Sequence, residues 1–367
     1  MVKILMVSND LALHGISNVI INYYKAIDNE KIIIDIAAGK PIEKNFINIK
    51  KNNGKIHVLP ERKKKPISYY KELYLLMKQN KYDIVHVHGN SSTISIELFV
   101  AKIAGIKIRV AHSHNSTCNH LIMHKLLKPI FFKLYTNGFA CSEIAGKWMF
   151  GNKEFDIINN GFEVENYRFS LDRRNDLRNR LNLKNSFVIG HVGCFNQQKN
   201  HTFMLDVFKE VLKNDPNSVM LLVGGGHTKE SIKQKVKELN IENNVIFYGE
   251  TTDVSSLLCC MDTFLFPSLF EGLGISLLEA QISGLPCILS DVVPIAAKLC
   301  NQYYELSLTN NSIQEWAECI VKNKINIENR DDFIDSHKDE LSSYDISVLS
   351  KKLEEKYFRF INKERLK

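Results

Sequence analysis

Residues 262–291 read D-T-F-L-F-P-S-L-F-E-G-L-G-I-S-L-L-E-A-Q-I-S-G-L-P-C-I-L-S-D. The apolar run Thr263–Phe266 predicts a short strand, and Pro267 with Ser268 ends it, because proline has no N–H for a ladder and serine favours turns. A glycine-flexed loop follows, Phe270-Glu271-Gly272-Leu273-Gly274, and amphipathic spacing predicts a helix over 275–283. Gly284 is placed to close that helix, and Pro286 leads into a second apolar strand over 287–290. The result is a β-loop-α-β unit whose loop feeds a helix N-terminus. Free backbone N–H groups and a partial positive charge suit such a terminus to a phosphate or a polar ligand rim. Two carboxylates frame the unit, Glu271 in the loop and Glu279 eight positions on. That spacing is about two helical turns, so both can face one cleft at the carboxyl end of the strand. Taken singly, each also fits an ordinary solvated or helix-start charge.

The whole string narrows the choice. F-E-G-L-G-I-S-L-L-E-A-x-x-x-G-L-P resembles the E-x7-E signature of the retaining GT-B glycosyltransferases of family 4. The resemblance implies that Glu271 meets the hydroxyls of a donor sugar and Glu279 the nucleotide ribose. It also implies that Pro267, Ser268, Gly272, Leu273 and Gly274 line the donor.

The composition is that of a globular protein: 367 residues, 44% hydrophobic and 24% charged, enough for two domains of ordinary size. No apolar run reaches the roughly 18 residues a membrane span needs, and the opening Met1-Val2-Lys3-Ile4-Leu5 reads as a strand rather than a signal peptide. Eight scattered cysteines without paired zinc spacing predict a reduced, cytoplasmic chain. The net charge of +7 is uneven. Residues 1–165 hold 23 Lys/Arg against 14 Asp/Glu, and the remainder holds 25 against 27. A nucleic acid, an anionic membrane face or an anionic substrate could each account for a basic first half. No nucleic-acid-binding motif is present, and such a role would leave Glu271 and Glu279 unexplained.

Strands and helices alternate along the chain. Residues 2–8 predict a buried strand followed by the His14-Gly15 loop and a helix over 17–27. Further strands are expected at 32–37, 55–59, 82–88 and 107–113, with helices between. This spacing points to a Rossmann-like parallel sheet covered on both faces, although G-x-G-x-x-G is absent. The strand near Val110 runs into His112, His114 and Asn115 at its carboxyl end, where open α/β sheets bind ligands. No carboxylate or third histidine lies nearby in sequence to complete a metal triad. Residues 121–135 interleave Leu, Ile and Phe with Lys125, Lys128 and Lys133, which suits either an interfacial helix with snorkelling lysines or a buried helix with a lysine edge. Asn160-Gly161 is a turn pair, and the charged stretch 165–185 reads as a linker with one surface helix. A second α/β domain is then expected over 186–344, with strands at 187–193, 218–223 and 245–248 and a Gly224-Gly225-Gly226 turn. The first domain covers 1–165, and the amphipathic tail 345–367 is expected to cross back to it, as in the GT-B arrangement.

The resemblance covers nearly the whole chain. It implies a GT-B architecture, two Rossmann-like β/α/β domains facing a central cleft. His114 then faces the donor sugar, while Gly15, Asn160, Gly193, Lys199 and Gly224 join the donor site. One position departs from the family, which writes V-G-R where this chain writes Val192-Gly193-Cys194. A thiol supplies no charge-assisted bidentate contact, so one diphosphate clamp is missing or replaced. No Asp-x-Asp occurs in the chain, and transfer is expected without a metal or other cofactor: Lys199, the Gly15 loop and a helix N-terminus take the phosphate charge. The wording A-H-S-H-N and I-G-H-V-G-x-F-x-x-Q-K-N-H is similar to bacterial capsule and exopolysaccharide transferases. That subgroup implies a nucleotide-diphosphate sugar, foremost a UDP-sugar, and a lipid-linked saccharide acceptor. It also implies a cytoplasmic protein held peripherally on the inner membrane face by its basic half. The competing expectation is a silent GT-B subunit that partners another transferase.

Overall fold

The structure is a computed structural model describing residues 1–12, 15–28, 30–39, 54–118, 120–309, 312–323, 330 and 332–366. His14 of the first glycine loop lies outside the described residues. The chain divides into two compact units, residues 1–163 with 343–367, and residues 164–342.

The first unit is built on β1 (Val2–Ser8), β2 (Ile32–Gly39), β3 (Ile56–Leu59), β4 (Ile84–Gly89), β5 (Ile108–Ser113), β6 (Asn137–Ala140) and β7 (Asp156–Ile157). All pairs are parallel, in the order β3-β2-β1-β4-β5-β6-β7. Ile4, Leu5, Met6, Ile34, Ile36, Ile84 and Val85 are buried, as continuous apolar strands must be when helices cover both sheet faces. The closing helix Ile346–Arg365 packs into this unit, burying Leu353, Tyr357 and Phe360. Its entry is tied by reciprocal backbone bonds, Phe162 N–H to the Tyr344 carbonyl at 2.9 Å and Ile346 N–H to the Phe162 carbonyl at 2.8 Å.

The second unit holds β8 (Val188–Val192), β9 (Val219–Val223), β10 (Val245–Gly249), β11 (Thr263–Phe266), β12 (Cys287–Ser290) and β13 (Tyr303–Leu306). They form a parallel sheet ordered β10-β9-β8-β11-β12-β13. Strand order reverses between β8 and β11. The loops leaving those two neighbours at their carboxyl ends therefore diverge to opposite sides and leave a crevice, the usual ligand position in open α/β sheets.

The charged stretch after the first unit is not a linker. Its helix Leu171–Arg180 belongs to the second unit and buries Arg174 and Arg178. Asp262, just before β11, takes both guanidinium groups: Arg174 bonds its Oδ1, and Arg178 Nη1 lies 3.1 Å from its Oδ2. The same carboxylate accepts the Val188 N–H at 2.7 Å, and Arg174 also donates to the carbonyls of Cys259 and Met261 at 3.0 Å. A polar helix thus closes the amino end of the sheet through ion pairs.

Candidate active site

The loop after β8 is shaped by its own side chains. Asn196 caps the turn Gln197–Lys199, its carboxamide oxygen accepting the Lys199 N–H at 3.1 Å. Asn200 then turns at φ 54°, a left-handed conformation that asparagine tolerates, and starts the helix His201–Asn214. Gly224 and Gly226 bring the next loop against this one. At φ +137° and +148°, an added Cβ would strike the Gly193 carbonyl oxygen at 2.1 Å and the Phe195 carbonyl oxygen at 2.4 Å. The Phe195 N–H donates to the Gly225 carbonyl at 2.7 Å across that contact.

The loop after β11 comes up beside it, with the Leu269 N–H donating to the Gln198 carbonyl at 2.8 Å. Pro267, Ser268, Gly272, Leu273 and Gly274 are all buried in that loop. Gly274 adopts φ +76° as the residue before the helix Ile275–Ile282, a turn that glycine makes without strain. Between the two loops Lys199 Nζ meets Glu271 Oε1 at 2.6 Å. The ammonium also lies 4.4 Å from the centre of the Phe266 ring. Glu271 is 7% exposed and Lys199 is half-buried, so this is a largely shielded charge pair at the sheet's reversal point.

Glu279 takes a different environment. It lies buried in the 275–282 helix and accepts a hydrogen bond from the Tyr167 hydroxyl at 2.7 Å. Burial pushes its carboxyl up to about 7, the tyrosine bond opposing that rise. Glu271 therefore sits against a cation and Glu279 against a phenol, and the two do not share one helix, because the helix starts only at Ile275. Cys194 is exposed in the β8 loop and brings no positive charge to it.

The first unit carries the other residues singled out in the sequence. Gly15 starts the helix Gly15–Ala26, and Asn160 is buried in the turn after β7. His114 follows directly on β5. The third histidine that sequence neighbours do not supply comes from the adjacent strand. The register sets His88 opposite His112, so β4 and β5 place His86, His88, His112 and His114 in a two-by-two array. His88 Nδ1 lies 2.9 Å from His114 Nε2, and His86 Nε2 lies 3.1 Å from His112 Nδ1. Rings stack along each strand, with centroids 4.2 Å apart for His86 and His88 and 4.1 Å for His112 and His114. Tyr357 of the closing helix bonds His86 Nδ1 at 2.7 Å. Burial lowers His86 to about 3 and holds His88 and His112 well below the usual imidazole range, so the three are neutral. One nitrogen each from His86, His88 and His112 falls within 4.8 Å, near enough to one another for a single metal ion. Four ring nitrogens of the array bond one another, while among the described residues His88 Nε2 and His112 Nε2 are buried without a hydrogen-bond partner.

Residues 172–339 match the family model for glycosyl transferases group 1. Over 340 residues, 87% of each chain, this protein is 27% identical to EpsF of Bacillus subtilis, which carries a glycosyltransferase name. It is 27% identical over 319 residues to the capsular polysaccharide biosynthesis glycosyltransferase CapH of Staphylococcus aureus, covering 82% of this chain and 83% of that one. The fold matches the crystal structure of Anabaena HepE in complex with UDP and glucose, with a TM-score of 0.81 at 16% identity over 98% of this chain and 100% of that one. Residues 172–339 carry the glycosyl transferases group 1 segment, and the chain has a GT-B fold. The fold has a Rossmann-like parallel sheet in each unit, and the matched family segment holds the Lys199–Glu271 pair and Glu279.

Proposed function

We propose that this glycosyltransferase moves a sugar, with retention at the anomeric carbon, from a nucleotide-diphosphate sugar, specifically a UDP-sugar, to a lipid-linked saccharide during capsular or exopolysaccharide assembly. The observation that carries this reading is the largely shielded Lys199–Glu271 pair at the reversal point of the second sheet. A departing nucleotide diphosphate needs positive charge where its negative charge develops, and an ammonium in a water-poor crevice supplies it without a metal. Glu271, held by that ammonium, is placed to accept hydrogen bonds from sugar hydroxyls, and Glu279 to accept one from the ribose. Asn160 and the glycine turns at Gly15, Gly193 and Gly224 complete the donor contacts. His114, kept in orientation by His88, serves turnover rather than nucleotide capture.

Support for the substrates comes from relatives. The chain is 28% identical, over 68% of each protein, to an Escherichia coli UDP-Gal:alpha-D-GlcNAc-diphosphoundecaprenol alpha-1,3-galactosyltransferase. The lipid end of such an acceptor suits the helix Leu121–Leu134, where Ile122 is 76% and Leu126 65% exposed beside Lys125 and Lys133. Among the described residues no helix is long and apolar enough to cross a membrane, and peripheral attachment to an anionic inner leaflet is the form of contact proposed. The test is transfer by the purified protein, given UDP-, GDP- or dTDP-sugars and a lipid-linked saccharide in the presence of a chelator. Acceptor-dependent release of nucleoside diphosphate is expected, greatest with a UDP-sugar. No release from any donor would instead indicate a silent subunit, and release abolished by the chelator would defeat the metal-free mechanism.

A further inference from the structure

His191 is a buried titratable group that the proposed chemistry does not yet use. It lies on β8, two residues before Gly193, so its side chain shares a face with that glycine. Its Nδ1 lies 2.9 Å from the Leu265 carbonyl of β11. A carbonyl only accepts, so Nδ1 carries the proton in the neutral ring and Nε2 presents a bare lone pair. Among the described residues Nε2 has no hydrogen-bond partner, and the residue is 1% exposed. It points at the space over Gly193: a Cβ there would lie 2.7 Å from His191 Nε2 and 3.3 Å from Lys199 Cε. The missing side chain of Gly193 is thus the gap on which His191 and Lys199 converge. His201, the first residue of the 201–214 helix, adds a second buried imidazole, stacked on Phe195 at 4.2 Å, with neither ring nitrogen bonded among the described residues. The helix N-terminus and the Lys199 ammonium both favour an anion here, and buried imidazole nitrogens without a partner call for a polar ligand.

Granting the nucleotide-diphosphate donor proposed above, we propose that His191 supplies the second positive charge of the phosphate site, in place of the guanidinium that Cys194 does not provide, by taking up one proton when the diphosphate binds. The proton comes from solvent and goes to Nε2, which then donates to a phosphate oxygen while Nδ1 keeps its bond to Leu265. In the unliganded protein His191 stays neutral, because burial, the neighbouring His201 and the Lys199 ammonium all hold its ring below the usual imidazole range. The charged and titratable groups around it are Lys199 and Cys194 on its own loop, His201 on the following helix, Glu271 through its pair with Lys199, and Glu250 beyond Cys194 and Gly225. The remaining neighbours are the Phe264 and Phe266 rings of β11, with centroids 5.9 Å away. A diphosphate entering this set reverses the sign of the local field, and the protonated ring becomes the favoured form.

The experiment is calorimetric titration of the full chain with UDP, GDP and dTDP at pH 7.5 in buffers of different ionisation enthalpy. That pH lies above the second phosphate pKa of about 6, so the nucleotide itself stays ionised. Wild type is expected to take up a substantial fraction of a proton per nucleotide bound and to bind more tightly as pH falls, by at most about tenfold per unit. His191→Gln, whose amide can donate from nearly the Nε2 position, should keep much of the affinity and lose the proton uptake. His191→Phe, which suits the surrounding aromatic rings, should bind about tenfold or more weakly with no uptake. Proton uptake that is absent in wild type, or as large in the two variants as in wild type, would overturn the role of His191 and leave the donor reading standing. Failure of all three nucleotides to bind wild type would remove the donor reading and this inference together.

Discussion

Glu279 and Glu271 are both buried carboxylates of one motif, yet they differ in what stands beside them. Among the described residues Glu279 accepts its hydrogen bond from the Tyr167 hydroxyl, and burial raises its carboxyl to about 7. A carboxyl raised in the folded state binds more protons than the unfolded chain, so it contributes stability that is lost as pH climbs from about 4.5 to about 7. The ligand-free protein should lose about 3 kcal/mol of this contribution across that window. Urea unfolding at pH 5 and pH 7.5 checks it: Glu279→Gln should show a smaller loss than wild type, and identical slopes would refute the raised carboxyl. Glu279→Ala should also weaken nucleotide binding by about 1–3 kcal/mol if the ribose loses its acceptor. At this scale the sequence discloses residues whose meaning lies in a local string, such as Glu271, Glu279 and Lys199. It conceals those whose meaning lies in register. The string I-G-H-V-G contains His191, but its Nδ1 partner is Leu265 on another strand. His88 is likewise unremarkable until β4 pairs with β5 and sets it against His114.

Among the elements, the loop-helix unit after β11 was readable because each of its parts is local: a proline stop, two glycines and a helix with one apolar face. The helix Leu171–Arg180 was not. Its sequence, L-D-R-R-N-D-L-R-N-R, carries only two apolar residues, so no hydrophobic periodicity marks a buried face. Its packing comes instead from Asp262, more than eighty residues away, whose carboxylate neutralises Arg174 and Arg178 and accepts a β8 amide. Removing one partner of a buried ion cluster leaves charge unpaired, which costs far more than the cluster adds relative to apolar packing. Asp262→Ala is therefore expected to destabilise the protein by about 3–5 kcal/mol in urea unfolding. A loss under about 1 kcal/mol would mean that water solvates the two guanidinium groups and that the helix behaves as the surface element its composition suggests.

For the whole molecule, the alternation of apolar strands and helices was sufficient to indicate two parallel Rossmann-like sheets, because such sheets bury both faces and leave continuous apolar runs in the sequence. The sequence left the helix Leu121–Leu134 undecided between an interfacial and a buried role, since its apolar and lysine residues fit both. The structure exposes Leu121, Ile122, Met123, Leu126 and Ile130 there, and Phe99 and Ile103 on the helix Ser95–Ile103 are exposed as well. A face of that kind should bind vesicles containing anionic lipid and release them as salt rises. Ile122→Asp with Leu126→Asp should cut co-sedimentation about tenfold or more without lowering the melting temperature, and unchanged sedimentation would remove the membrane from the proposal. The central claim remains that Glu271, held by Lys199, acts on the donor sugar. The most direct test is the rate of sugar transfer by Glu271→Gln at saturating donor. Loss of about a hundredfold or more in rate, with nucleotide affinity within a few-fold of wild type, is the predicted result, the pattern of an interaction realised in the transition state. A transfer rate within threefold of wild type would contradict it.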